Sequence, residues 1–231
     1  MVDFTAFEKK TGIRFKDKKL LMQAFIHRSF INENPNTGMD HNERLEFLGD
    51  AVLELIITEY LYAKFPKHAE GDLTSFRAAL VNAVTIAEVA TKIGMNDYLL
   101  LSKGEAKDTG KARQYILANT FEAYLGALYL DQGYEPSKGF VSDTLFPLID
   151  DIVANKLWRD PKSLVQERAQ EVFSVTPSYK VISENGPDHD KQFTIGIYFG
   201  KDKIASGKGK SKQEAEQNAA KEALKVNHWI D

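Results

Sequence analysis

The sequence has no cysteine in its 231 residues. Disulfides and thiolate zinc sites are thereby excluded, and a reducing cytoplasm is the compartment to expect. Long apolar runs are missing as well. No stretch approaches the ~20 apolar residues that a membrane-spanning helix needs. The opening MVDFTAFEKKTGIRF mixes acids and bases and has no sustained apolar run, so no signal peptide is readable. A soluble, cytoplasmic protein without a membrane partner is the expectation. Nor is there an excess of positive charge: the net charge is −3, which taken alone argues against nucleic acid as a partner. Its distribution is more informative. From Pro161 onward 11 Lys and Arg stand against 10 Asp and Glu, so the tail carries +1 and the rest −4. Any nucleic-acid contact must come from local patches, and the acid of the front part is available to a metal site. What is plentiful is core material. With 43% hydrophobic and 11% aromatic residues, the chain can bury one large or two modest domains.

Periodicity divides the chain in two. Up to about Lys156 apolar residues recur at three- and four-residue spacing, which predicts an all-α domain over residues 1–156. The clearest helix runs from Asn42 to Phe65 and ends at Pro66. A second follows Glu70-Gly71-Asp72, with Asp72 as its N-cap. Thr85-Ile-Ala-Glu88 reads as a capping box opening a third, which Gly94 ends. The polar stretch Ser102 to Arg113 reads as a loop, Gln114 to Leu130 as an apolar helix stopped near Gly133, and Pro136 to Lys156 as a last helix. Residues 157–160 read as a linker. Over 161–231 the order becomes helix (Lys162 to Phe173), three strands (Ser178 to Glu184, Gln192 to Phe199, Lys203 to Lys208) and helix (Ser211 to Val226). This predicts a small α+β domain of α-β-β-β-α order.

The most informative segment is DHNERLEFLGDAVLEL, Asp40 to Leu55. At 100° per residue Glu43, Glu46, Asp50 and Glu54 fall within about 80° of one another on one helix face. Stacked like charges weaken a helix by a few tenths of a kcal/mol per pair, and a cation between them reverses the sign. For an arbitrary helix a solvated acidic face is the commoner explanation. Two features favour a site. No Lys or Arg stands at the four-residue spacings that would balance the stripe. A second segment, ILANTFEAYLGALYLD, carries Asn119 and Glu122 on one face, with Gly126 on the same face permitting close helix approach. If the two helices pack, four oxygen-bearing side chains converge. Oxygen ligands without His or Cys suit Mg²⁺ or Mn²⁺ rather than zinc. The five histidines are scattered, and none forms a metal-spaced pair on an expected helix.

The string HNERLEFLGDAVLE (His41 to Glu54) closely resembles the signature of bacterial ribonuclease III. EGDLTSFRAALVN (Glu70 to Asn82) and ILANTFEAYLGALYLD (Ile116 to Asp131) resemble that family's other two blocks in order and spacing. The resemblance implies an Mg²⁺-dependent endonuclease, with Mn²⁺ able to substitute, that cuts double-stranded RNA to staggered 5′-phosphate and 3′-hydroxyl ends. It implies roles in rRNA and mRNA processing, and a homodimer formed through the endonuclease domain. Glu46, Asp50, Asn119 and Glu122 correspond to the metal ligands, Asp50 and Glu122 to the catalytic pair, Glu43 to a supporting acid and Phe47 to a dimer contact. By residue type alone, Phe47 is equally an ordinary core residue and Glu43 equally an exposed first-turn acid. One position departs: the family usually has Asp where this chain has Asn119. An amide oxygen still ligates Mg²⁺, but a full negative charge is lost.

The tail resembles the double-stranded RNA-binding domain that follows the nuclease domain in bacterial members, through DPKSLVQERAQ, NGPDHDKQF and GKGKSKQEAEQNAA. Independently of the resemblance, Lys208, Lys210 and Lys212 precede or open the last helix. Their cations and the free N–H groups there point to phosphate binding. Ser163, Gln166 and Glu167, with His189 on a loop, offer a polar surface for the shallow minor groove of RNA. A rival reading is a double-stranded RNA-binding protein with a catalytically weakened site, supported by Asn119 alone. Three retained carboxylates argue against it.

Overall fold

The protein is described by a computed structural model covering residues 3–154, 158, 160–187 and 191–229. It divides into two compact units, Met1–Trp158 and Arg159–Asp231. The first is helical and the second carries the sheet, so the all-α domain followed by an α+β domain is what the chain forms.

In the first unit α1 (Thr5–Thr11), α2 (Lys18–Ala24) and α3 (Arg28–Glu33) precede α4 (Glu43–Lys64). Then come α5 (Glu70–Leu80), α6 (Ala83–Lys92), α7 (Lys111–Gln132), α8 (Tyr134–Thr144) and α9 (Ile149–Ala154). The two 22-residue helices α4 and α7 form the centre. α7 is apolar nearly all round, burying Ile116, Leu117, Phe121, Tyr124, Leu125 and Leu128 among others, as a helix enclosed on most sides must be. Around its Tyr124 gather Phe7, Phe15, Phe25 and Phe140, with ring centroids 4.9–6.2 Å away.

Several helix boundaries differ from the sequence reading. Asp72 lies within the first turn of α5, whose N-cap is Ala69; its carboxylate instead meets His68 at 3.2 Å. Asn82, not Thr85, caps α6, its Oδ1 accepting from the N–H groups of Val84 and Thr85. Asn is at least as good a cap as Thr, and the earlier start leaves Thr85 inside the first turn. The helix expected from Pro136 to Lys156 is broken. A 3₁₀ turn over Phe146–Leu148 separates α8 from α9, because Pro147 lacks the N–H that would continue the ladder. Lys156 lies outside the described residues. The expected loop after Ser102 shortens: Glu105–Lys107 is a 3₁₀ turn and α7 already begins at Lys111. Arg113 secures that stretch by donating to the carbonyls of Glu105 (2.7 Å) and Asp108 (3.1 Å).

Of the expected linker, residues 157 and 159 lie outside the described set. Trp158 stacks edge-on against Phe76, 4.9 Å between centroids, and Asp160 caps the helix that follows. In the second unit α10 (Pro161–Phe173) leads into β1 (Pro177–Asn185), β2 (Gln192–Phe199), β3 (Asp202–Gly209) and α11 (Lys212–Val226). The strands form an antiparallel meander in the order β1-β2-β3. Leu164, Val165 and Ala169 of α10, Ile197 and Phe199 of β2, and Ala219, Ala220, Ala223 and Leu224 of α11 make its core. The alanines of α11 allow close approach to the sheet. A Cβ on Gly207 would lie 2.1 Å from the Ala219 nitrogen, and one on Gly209 2.6 Å from that of Ala215. Both glycines face the helix, so Lys208 between them faces away, as strand alternation requires.

Candidate active site and RNA-binding surface

The candidate site lies where α4 crosses α7, and two glycines allow that crossing. A Cβ on Gly49 would stand 1.7 Å from the Glu122 carbonyl oxygen, and one on Gly126 would stand 2.2 Å from that of Leu45. No other residue type fits at either position without the helices parting. Backbone contact at this point brings the carboxylate stripe of α4 against the polar face of α7. Further support comes from Asn42, the second residue of the first motif. Its side chain is buried, its Nδ2 donates to the Ala24 carbonyl (3.1 Å) and its N–H to that of Ile26 (2.9 Å). That contribution was not anticipated from the sequence. A polar residue directly before an amphipathic helix was the available signal.

The electrostatics show that the carboxylates act on one another. Burial raises the Glu122 carboxyl most, and the charges of Asp50 and Glu46 add to it, bringing it up to about 7. Glu46 is raised by burial and by Glu43, partly offset by the side chain of Asn119. Asp50 is raised by burial and by Glu54. Glu46, Asp50 and Glu122 are therefore within reach of one another's charge, and Asn119 bonds to Glu46. Glu43 stands at the edge, exposed, 3.4 Å from the Arg28 guanidinium and 3.8 Å from the His41 ring. Phe47 is 82% exposed and so is no core residue.

Whether these residues suit a divalent cation follows from their chemistry. The donors are three carboxylates and one amide, all oxygen ligands of the kind Mg²⁺ takes. Among the described residues, no Lys or Arg forms an ion pair with Glu46, Asp50 or Glu122; their repulsion is left uncompensated. No three His, Asp or Glu side chains among the described residues are close enough to share one ion as they stand. The set fits the cation in kind and charge without being a closed cage.

On the second unit Ser163, Gln166 and Glu167 lie exposed on one face of α10. The Ser163 hydroxyl donates to the capping carboxylate of Asp160 (2.9 Å). Lys208, Lys210 and Lys212 are exposed at the β3–α11 corner. The Lys212 ammonium stands 5.7 Å from the centroid of the Phe193 ring. One expectation needs correcting here, because the N–H groups at this corner are not all free. The Glu214 N–H donates to Ser211 Oγ (3.1 Å), and the Glu214 carboxylate accepts from the Lys210 N–H (2.7 Å). The pair resembles a capping box, with the return bond made to the residue before the N-cap, and it satisfies both donors. What this corner offers an anion is therefore side-chain charge more than helix N–H groups. His189 lies outside the described residues.

Comparison with known proteins agrees with this layout. A family model described as "Ribonuclease-III-like" matches residues 17–149, and one described as "Double-stranded RNA binding motif" matches residues 161–227. Among curated relatives, Ribonuclease 3 of Desulforamulus reducens is 47% identical over 93% of this chain and 87% of its own length. Ribonuclease 3 of Enterococcus faecalis is 46% identical over 96% of each chain. The solved nuclease domain of ribonuclease III from Campylobacter jejuni is 41% identical with a TM-score of 0.56, covering 63% of this chain and 99% of that one. With these matches the reading as a binding protein that has lost its enzymatic role is not favoured. The chain belongs to the ribonuclease III family, as an endoribonuclease domain followed by a double-stranded RNA-binding domain.

Proposed function

We propose that the protein hydrolyses double-stranded RNA with Mg²⁺ as cofactor, Mn²⁺ substituting, and leaves staggered 5′-phosphate and 3′-hydroxyl ends. Its work would be rRNA and mRNA processing in the cytoplasm. The observation that carries this reading is the glycine-mediated contact of α4 and α7, which gathers uncompensated carboxylates on Glu46, Asp50 and Glu122 beside Asn119. A bound divalent ion would supply Lewis-acid stabilisation of phosphoryl oxygens and a water acidified for attack on phosphorus. Glu46, Asp50, Asn119 and Glu122 would hold it. Glu122 keeps a proton on its carboxyl up to about pH 7 in the free protein and gives it up when positive charge arrives beside it. Asp50 and Glu122 are the residues whose loss should most reduce turnover. Glu43, one turn before Glu46, adds negative charge at the edge.

Recognition would fall to Lys208, Lys210 and Lys212 on backbone phosphates, and to Ser163, Gln166 and Glu167, with His189, on the minor groove. A-form shape is read this way with little sequence preference. Two active sites would come from a homodimer of the endonuclease domain. Phe47, Leu55 and Tyr62 are exposed and share about 80° of the α4 surface, an apolar stripe suited to a second copy. The related Campylobacter jejuni structure concerns flexibility in a region involved in dimer formation of that nuclease domain.

The test is cleavage of labelled duplex and single-stranded RNA, with Mg²⁺, with Mn²⁺ and with EDTA. Metal-dependent cutting of the duplex alone supports the proposal. Duplex binding without cutting under any metal would refute it in favour of a binding protein.

A further inference from the structure

Given the duplex-RNA substrate proposed above, we infer that Arg28 is a phosphate anchor of the endonuclease domain, held beside the carboxylate cluster to receive a backbone phosphate. The need for such a group follows from charge. Glu43, Glu46, Asp50, Glu54 and Glu122 concentrate negative charge where a polyanion must lie. Like charges this near a protein surface repel one another, and they repel an incoming polyanion in the same way. Among the described residues Arg28 is the one Lys or Arg ion-paired to a member of this group, through Nη1 to Glu43 Oε1 at 3.4 Å.

Its mounting suits the task. The backbone around Arg28 is tied down on both sides. The His27 N–H donates to the Leu100 carbonyl (3.1 Å) and the Leu100 N–H to that of Phe25 (2.9 Å), while Ile26 and Leu100 form a parallel bridge. His27 Nδ1 and Ser29 Oγ lie 2.8 Å apart, and Ser29 Oγ in turn accepts from the Ser102 N–H (3.0 Å). On this fixed base the Arg28 side chain is 65% exposed. Fixing the base in advance lowers the ordering cost of binding. The contact with Glu43 is a long one between two exposed groups, the kind that contributes little. A guanidinium also matches phosphate with two parallel N–H···O bonds. A phosphate therefore displaces Glu43 at small cost, and Glu43 acts as the internal competitor that holds the guanidinium in place until RNA arrives.

The consequence has opposite signs for the two partners. In the full-length protein, duplex RNA binding is measured in EDTA across a salt series for wild type, Arg28→Gln, Arg28→Lys and Glu43→Gln. Arg28→Gln should weaken binding several-fold and flatten the log–log salt dependence by about 0.7–0.9, the loss of one phosphate contact. Arg28→Lys should restore the slope. Glu43→Gln should tighten binding, because it removes the competitor. Thermal melts report whether each variant is folded, and Arg28→Lys keeps the test available if Arg28→Gln is not. A wild type that fails to bind duplex RNA would overturn the proposed function itself. A binding wild type whose salt slope Arg28→Gln leaves unchanged, or weaker binding in Glu43→Gln, would overturn the anchor alone.

Discussion

Replacing Gly49 by alanine tests the crossing on which the site depends. The added Cβ would lie 1.7 Å from the Glu122 carbonyl oxygen and 2.9 Å from the Gly126 nitrogen. An ordinary contact needs about 3.4 Å or more, so α4 and α7 must part by roughly 1.7 Å, since backbone cannot swing aside as a flexible side chain can. Overpacking of this kind costs about 1–3 kcal/mol, against which alanine's better helix propensity returns about 1 kcal/mol. For a unit of this size each kcal/mol shifts the melting temperature by about 2–4 °C. The larger effect should be on turnover. A displacement of about 1 Å costs on the order of 100-fold, and here the displaced elements carry Glu46 and Asp50 on one side and Asn119 and Glu122 on the other. Gly126→Ala, with its clash at 2.2 Å from the Leu45 carbonyl oxygen, should be affected in the same sense. Gly139 in α8 has nothing within 4 Å of its would-be Cβ, so Gly139→Ala should stabilise by about 0.5–1 kcal/mol and leave activity alone. Thermal melts with single-turnover cleavage of a labelled duplex report both quantities. A Gly49→Ala protein with wild-type melting and wild-type cleavage would mean that the helices do not meet here.

Glu122→Gln should abolish cleavage while duplex binding survives, and in EDTA it should raise stability at pH 8 but not at pH 5. The folded-state carboxyl sits at about 7 against an ordinary 4.5, so the native state holds a proton that the unfolded chain has lost between those values. Stability therefore falls as pH rises through that window, by up to about 3 kcal/mol at 1.36 kcal/mol per pH unit; equal melting of both proteins at pH 8 would contradict the burial of Glu122. Asn119→Asp should lower the Mg²⁺ concentration needed for half-maximal rate, because an anionic ligand offsets metal charge better than an amide. No change at any metal concentration would remove Asn119 from the ligand set. Asp131→Ala should cost about 1 kcal/mol at pH 7 after solvent screening, since that carboxylate accepts from the N–H groups of Lys16 (2.9 Å) and Asp17 (2.8 Å). Burial works to raise this carboxyl, yet those two bonds, with that from Gln132 and the charge of Lys16, together outweigh it and hold it low. The stabilisation should be present above the ordinary carboxylate range and vanish as pH falls below about 4; a difference in melting that persists at pH 2 would assign Asp131 another role.

What the sequence made legible is what periodicity and charge can carry. The α4 stripe, the polar face of α7 and the alternation of β2 are one-dimensional patterns, and each appears where its spacing placed it: α4 over Glu43–Lys64 and β2 over Gln192–Phe199. Helix ends were less legible because a cap is decided by one side chain among near-equivalents. Asn82 and Thr85 both satisfy the chemistry, and geometry chose Asn82. Pro147 was visible, yet the apolar spacing around it argued for continuity.

The harder residues to read were those whose work is done by backbone. Asp131 closes the third motif and resembles a further acid of the site, but it spends both oxygens on the N–H groups of Lys16 and Asp17. Glu214 sits among the lysines proposed to bind phosphate, yet its carboxylate accepts from the Lys210 N–H. Asn42, second in the first motif, supports the end of α2. In each case a polar residue inside a long motif serves a backbone N–H or carbonyl, for Asp131 and Asn42 in a segment the pattern does not name, and Gly49 and Gly126 contribute by having no side chain at all. A motif of this length therefore mixes two kinds of residue. One kind presents charge outward, as Glu46 and Asp50 do; the other fixes the scaffold that gives that charge its position. Spacing distinguishes faces but not these two roles, which separate only when each oxygen's partner is known.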